Sequence, residues 1–282
     1  MRLLSFGHGY SARALSKNLV SLGWKIKGTT RCIKKLEHLD VEVRLWPNTN
    51  LSNDLEWATH LLISIPPNEF GDCVVQDYKK NIIKNAHNIR WVGYLSTTGV
   101  YGNHEGAWVN EETNLRPTSA RGLNRVKAEK QWLNLYEKYN LPVHIFRLAG
   151  IYGPKRGPFS KVKSGKAKQI IKRNQLFSRI HVDDIATTLQ ASIIKPKPGS
   201  IYNVCDDFPA PPEEVILYAA RLLGLPDPPK VNFEDANMTA MARSFYSDSK
   251  RVRNNKIKSE LNIKLKYPNY KCGLKALIKD EI

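Results

Sequence analysis

The sequence predicts an α/β fold, a doubly wound parallel sheet carrying a small carboxy-terminal lobe. Short apolar strand patterns alternate with helical ones up to Leu148, as parallel sheets with crossover helices require. A glycine turn joins the first strand to the first helix. Beyond Gly153 the composition changes, with nine Lys or Arg and no Asp or Glu from Lys155 to Ile180.

The elements follow in order. Arg2 to Phe6 is a short apolar strand, then Gly7-His8-Gly9-Tyr10-Ser11-Ala12, then a helix marked by Ala14, Leu15, Leu19 and Leu22 and stopped at Gly23. Strands are expected at Trp24 to Thr30, at Val41 to Trp46, and at His60 to Ile65 running into Pro66-Pro67. A helix over Val74 to Ala86, a strand over Arg90 to Leu95, a long helix over Ala120 to Tyr139 and a strand over Val143 to Leu148 complete the alternation. The core pattern returns at Ile180 to Ile194 and Ile201 to Val204, and Pro209-Ala210-Pro211-Pro212 opens a helix ending near Gly224. The expected division is therefore residues 1–153 as core, 154–180 as a basic segment, 181–208 as a return to the core, and 209–282 as lobe and closure.

At 282 residues, 41% hydrophobic and 25% charged, the chain is no disordered tail, collagen-like repeat or disulfide miniprotein. Its net charge of +18 attracts anions at long range. Cys32, Cys73, Cys205 and Cys272 are isolated, without zinc or redox spacing, which suits reduced thiols in the cytoplasm. No apolar run approaches the roughly 20 residues that span a bilayer, and the amino terminus leads into a glycine turn rather than a signal-cleavage region. No membrane association is expected.

The glycine loop carries the first chemical expectation. Gly7 allows a tight turn, Gly9 allows backbone to approach a pyrophosphate, and the small Ala12 lets helix meet sheet, while Tyr10 and Ser11 open the helix whose free N–H groups face phosphate. Glycines between strand and helix can simply make a tight connection, but the place of this loop after the first strand favours a dinucleotide site. An NAD site would carry a carboxylate after the second strand. Here Thr29-Thr30-Arg31 stands there with Lys34 and Lys35 close behind. A guanidinium pairs well with a ribose 2′-phosphate, so Arg31 points to NADP rather than NAD.

The glycine loop, Leu95-Ser96-Thr97-Thr98-Gly99-Val100-Tyr101-Gly102, Phe146-Arg147-Leu148-Ala149-Gly150-Ile151-Tyr152-Gly153-Pro154 and Ile180-His181-Val182-Asp183-Asp184-Ile185-Ala186 together resemble the extended short-chain dehydrogenase/reductases of the NAD-dependent epimerase/dehydratase branch. The resemblance spans nearly the whole chain. It implies a Rossmann core that binds NAD(P), with Ser64, Pro66 and Leu148 joining the cofactor contacts, and a small lobe over a substrate that is often a sugar nucleotide. It also implies a hydroxyl on the loop after the fifth strand, matched by Thr97 with Thr98 beside the substrate, and a tyrosine and lysine one helical turn apart. Lys127 fits that lysine and would hold both proton chemistry and cofactor. The tyrosine position is then Leu123, which cannot transfer a proton. The chain thus resembles an atypical subgroup that has lost this tyrosine. Tyr101, His104 and Glu105 are candidate substitutes, Tyr101 foremost, although each has a plain packing or solvated role as its alternative.

His181, Asp183 and Asp184 read as a helix start rather than a metal site, and Cys205-Asp206-Asp207 as a strand end entering a turn; no metal is expected. Arg156 and Arg179 are the expected grips on an anionic small substrate. Nucleic acid is disfavoured because Phe159 and Phe177 are the only aromatics of the basic segment. Arg243-Ser244-Phe245-Tyr246 and Lys250-Arg251-Val252-Arg253-Asn254 could close over the substrate or form a solvated face. The expectation is an NADP-dependent oxidoreductase, epimerase or dehydratase, with a homodimer as the candidate assembly and an NADP(H)-sensing binding protein as the alternative.

Overall fold

The computed structural model of the chain describes residues 1–32 and 41–280; Lys34 and Lys35, expected beside a 2′-phosphate, lie outside the described residues. The chain runs β1 (Arg2–Phe6), α1 (Tyr10–Val20), β2 (Lys25–Thr30), β3 (Glu42–Leu45), α2 (Ser52–Trp57), β4 (His60–Ile63), α3 (Cys73–Lys84), β5 (Trp91–Thr97), β6 (Trp108–Val109), α4 (Ala120–Tyr139) and β7 (Val143–Leu148). It continues through β8 (Gly150–Tyr152), α5 (Phe159–Lys163), β9 (Gln169–Ile171), β10 (Arg179–His181), α6 (Val182–Ile194) and β11 (Ile201–Val204). The remainder is α7 (Pro212–Leu222), β12 (Lys230–Asn232), α8 (Ala240–Phe245), β13 (Arg251–Val252), α9 (Asn255–Leu261) and α10 (Tyr270–Leu277).

Seven strands form one parallel sheet in the order β11-β7-β5-β4-β1-β2-β3. The order reverses between β1 and β4, so the connections leave in opposite directions there and a crevice opens at the carboxyl ends of those strands. Alternation along β1 sends Leu3 to one face and Leu4 and Phe6 to the other. The first face packs Leu15 and Leu19 of α1 with Ile185 and Leu189 of α6, and the second packs Val74, Tyr78 and Ile82 of α3 with Trp132 and Leu135 of α4. Both faces are covered, which is why the central strands read as continuous apolar runs.

A third apolar cluster makes the lobe. Phe159 and Val162 of α5 meet Val215 and Ala219 of α7 and Leu274 of α10, beside Tyr152 from β8. Three parallel two-stranded pairs, β8 with β10, β9 with β12 and β6 with β13, stitch the lobe and the carboxy-terminal segment to the core. The long helix and the strand after it lie where the sequence puts them. The one-turn helix α2 has too short a pattern to announce itself, and the fourth strand stops at Ile63 rather than Ile65. No helix among the described residues is long and apolar enough to cross a membrane.

Candidate functional site

A cleft of about 1440 Å³ lies across the carboxyl ends of β1, β2, β4, β5 and β7, with the lobe forming its far wall. At its floor Gly7 has φ +83°, and a Cβ there would stand 2.6 Å from Ile65 Cγ2, so only glycine fits the turn. Thr29 Oγ1 accepts from Gly7 N at 2.8 Å, and His8 N donates to Thr29 O at 2.7 Å, pinning the loop to the end of β2. Ser64 Oγ donates to Phe6 O at 3.2 Å and to Gly7 O, pinning it to β4. His8 is buried, and burial with Arg13 nearby lowers its pKa to about 4, so the imidazole is neutral at pH 7. Gly28 makes room for it, since a Cβ there would meet His8 Cβ at 2.6 Å.

Gly9 is different in kind. A Cβ on it would meet nothing nearer than Gly7 O at 3.9 Å, so no protein packing requires glycine at this position. It caps α1 without any side-chain acceptor for the N–H groups of the first turn. Open space beside a glycine at an uncapped helix start suits the diphosphate of a dinucleotide. The donor chemistry therefore fits the cofactor. Tyr10, Ser11, Arg31, Pro66 and Leu148 line the same cleft, whereas Ala12 is buried between helix and sheet and acts by packing alone. Arg13, which the sequence reading passed over, also lines it and donates from Nε to His8 O at 3.3 Å.

Thr97 and Thr98 stand at the end of β5 on the cleft wall, and Thr97 Oγ1 accepts from Gly99 N at 3.1 Å. Beside them, α4 turns a different face to the cleft from the expected one. Its cleft-lining residues are Arg121, Gly122 and Arg125. Lys127 is absent from the cleft; its Nζ donates to Glu69 O at 2.6 Å, beside a separate groove between α3 and α4. Leu123 is 56% exposed and likewise outside the cleft lining. The two positions one helical turn apart that face the cleft are 121 and 125, both arginine.

The reason lies beneath the helix. Arg121, Arg125 and Glu129 share one face at intervals of four. The Glu129 carboxylate is buried, accepts from Ser96 Oγ and pairs with Arg147 of β7, Nη2 to Oε2 at 2.8 Å. That contact fixes the rotation of α4 and carries Arg121 and Arg125 to the cleft. Arg125 Nη1 then donates to Leu95 O and, at 3.3 Å, to Tyr94 Oη.

Tyr101 does not reach the cleft either. It is fully buried, donates to Asn203 Oδ1 at 2.7 Å and accepts from Arg147 Nη1 at 3.0 Å, and burial raises its pKa to about 12. It is a member of the buried network rather than a proton donor to a ligand. His104 and Glu105 also fall outside the cleft lining. At the start of α6 the cap is His181, whose Nδ1 accepts from Asp183 N at 3.2 Å. Asp184 accepts from the backbone of Lys266 and Tyr267, at 2.7 and 3.0 Å.

The lobe wall carries Arg156, whose guanidinium lies 5.4 Å from the Tyr10 ring, and Arg179, whose Nη1 donates to Phe177 O at 2.9 Å and Ala210 O at 3.1 Å. Burial lowers the pKa of Arg179. Asp206 lies near it with one carboxylate oxygen unpartnered, and burial raises its pKa to about 8. From the carboxy-terminal segment Phe245, Tyr246, Asp248 and Lys250 close the opening. Lys250 Nζ donates to Gly102 O at 2.7 Å and Asp248 Oδ2 at 3.3 Å, and burial lowers its pKa. Of the cleft cations Arg13, Arg31, Arg121, Arg125, Arg156, Arg179 and Lys250, Lys250 alone has a carboxylate within 4.0 Å among the described residues.

The model of the NAD dependent epimerase/dehydratase family matches residues 78–205, which hold β5, α4, β7 and the start of the lobe. Protein YeeZ of Escherichia coli strain K12 is 29% identical over 285 residues, covering 93% of this chain and 95% of that protein. The structure of a functionally unknown conserved protein from Silicibacter pomeroyi DSS superposes with a TM-score of 0.94 at 56% identity, over 99% of this chain and 98% of that one. The UDP-glucuronic acid 4-epimerase of Bacillus cereus, solved with UDP-glucuronic acid and NAD, shares the fold at a TM-score of 0.78 and 17% identity over the whole of both chains. With the parallel sheet, the glycine loop at the reversal of strand order and the lobe over the cleft, these likenesses agree on a Rossmann-type fold whose residues 78–205 match the NAD dependent epimerase/dehydratase family model.

Proposed function

We propose that the protein binds NADP along the floor of the cleft and acts there on a small anionic molecule of the sugar-nucleotide type. The observation that carries this reading is the set of unpaired guanidinium groups lining the cleft. A charged side chain without a counter-charge is costly to desolvate, and a ligand that brings the missing anions recovers that cost. The groups fall into separate places, which matches a ligand set with several anionic centres. Arg13 and Arg31 flank the glycine loop at the end of β2, where the ribose of a dinucleotide lies in this fold. Arg156 and Arg179 stand on the lobe.

A bound nicotinamide dinucleotide would supply hydride transfer. The chain's own part is to hold the diphosphate at Gly9 and the first turn of α1, to meet a 2′-phosphate with Arg31, and to hydrogen-bond a substrate oxygen from Thr97. Titration calorimetry with NADP and NAD tests the cofactor half, and equal affinity for the two would sink it. Turnover with a panel of sugar nucleotides tests the other half.

A non-catalytic NADP(H)-sensing role is favoured by one observation. At neutral pH arginine stays protonated, so Arg121 and Arg125 cannot exchange a proton as a tyrosine beside a lysine can. Cofactor binding without turnover of any member of the panel would select this reading.

A further inference from the structure

We infer that Arg121 and Arg125 form a carboxylate clamp, so that the ligand of this cleft carries an acidic group at its reacting end in addition to its phosphates. The inference rests on the proposed binding of a dinucleotide and an anionic partner in the same cleft.

The argument starts from placement. The two guanidinium groups project from one face of α4, one turn apart, on the wall that also holds Thr97 and Thr98. They are distinct from Arg156 and Arg179, which belong to the lobe. Each arginine is held in place without being neutralised. Arg125 spends Nη1 on Leu95 O and Tyr94 Oη and stacks at 5.7 Å from the Tyr94 ring, which leaves Nε and Nη2 without a partner among the described residues. Those two N–H bonds run nearly parallel along one edge of the guanidinium, the geometry that takes both oxygens of a carboxylate. Arg121 is exposed and lies 5.8 Å from the Phe245 ring of the closing segment, with no ion pair among the described residues. Closure over a ligand would thus bring an aromatic cover and a second guanidinium to the same group.

Alternative uses of the pair fail on chemistry. A proton relay is excluded because guanidinium does not titrate near neutrality. A purely structural role for Arg121 is at odds with its exposure. Asp248, the acidic residue of the cleft lining, is taken up by Lys250 and by Thr118 Oγ1 at 2.8 Å.

The test uses two probes that differ only at C6 of the sugar, UDP-glucuronic acid with a carboxylate and UDP-glucose with a hydroxymethyl, titrated into the full chain saturated with NADP. The glucuronate should bind about tenfold or more tightly, the size of one charge-assisted bidentate contact. Arg121→Ala and Arg125→Gln should each bring the two probes to within about threefold of one another, and Arg121→Lys should restore only part of the preference because an ammonium lacks the fork. Far-UV circular dichroism and the thermal unfolding midpoint, measured on the same variants, should match the parent and show that each is folded. Equal binding of the two sugars, binding of neither, or a preference that survives both variants overturns the clamp. Failure of the parent to bind NADP at all would instead overturn the reading on which it rests.

Discussion

Two layers of arginine lie one above the other in this protein. In the buried layer Arg147 has every strong partner it can use: the Glu129 carboxylate, Tyr101 Oη and the Glu111 carbonyl. In the cleft layer Arg31, Arg121, Arg125 and Arg156 face open space without a carboxylate among the described residues. The residue type is the same and the consequence opposite. A guanidinium whose charge is already answered fixes the fold, whereas one left unanswered in a concave site is available to a ligand. Net charge alone could not have made that distinction, because both kinds of arginine enter the total of +18 equally.

The comparison breaks most visibly if the buried pair is cut. Glu129→Ala should cost about 3 to 5 kcal/mol of stability in urea or thermal unfolding, since it strands a buried guanidinium. Arg156→Ala, an exposed cleft cation, should shift stability by less than about 0.5 kcal/mol. Similar losses for the two would mean that pairing does not separate the layers.

Asp206 sharpens the contrast from the acidic side. Burial lifts its folded pKa to about 8, far above the ordinary carboxylate value of 3.8, so between those values the folded state holds a proton that the unfolded state has lost. Its contribution is therefore fully present below about pH 4 and declines as pH rises toward 8, with a slope of up to ~1.4 kcal/mol per pH unit. Asp206→Asn should remove that decline and leave the variant more stable than the parent by several kcal/mol at pH 8, on the order of 5 if the whole shift is expressed. Parallel pH–stability curves for parent and variant would show that the carboxyl is not held protonated.

On the cleft side, Arg31→Ala should weaken NADP by roughly 1.5 to 3 kcal/mol, tenfold to a hundredfold, with little change for NAD. Calorimetry with both cofactors reads this directly, and parallel losses would remove Arg31 from the 2′-phosphate. The smallest effect belongs to the outer face of α4. Lys127→Ala should change NADP affinity by less than about twofold, as expected for a surface cation outside the site. A large loss there would restore the pairing of Leu123 and Lys127 that the sequence pattern suggested.

That pairing shows where sequence reasoning stops. Lys127 and Leu123 are four residues apart, and so are Arg125 and Arg121; periodicity cannot choose between them. The two faces differ by two residues, roughly 200° of helix rotation. A local sign was present in Glu129, a carboxylate set between Ala128 and Trp132 of the buried stripe and four residues beyond Arg125. Recognising it as an anchor requires knowing that Arg147 waits on the adjacent strand. Tyr101 was misplaced for a related reason, because its partners Arg147 and Asn203 come from β7 and β11, distant in the chain.

By itself the sequence determined the parallel α/β architecture and the glycine loop, each written in short-range order as apolar runs of strand length and a strand-glycine-helix junction. The stretch of cations without acids was a poorer guide, because of its nine only Arg156 and Arg179 line the cleft and the other cleft cations come from elements distant in the chain. Only the tertiary structure decided which arginines are answered and which are free. It also decided which face of α4 looks into the cleft, because helix rotation is set by contacts between residues far apart in the chain, and the Glu129–Arg147 pair exists only once α4 and β7 have packed together.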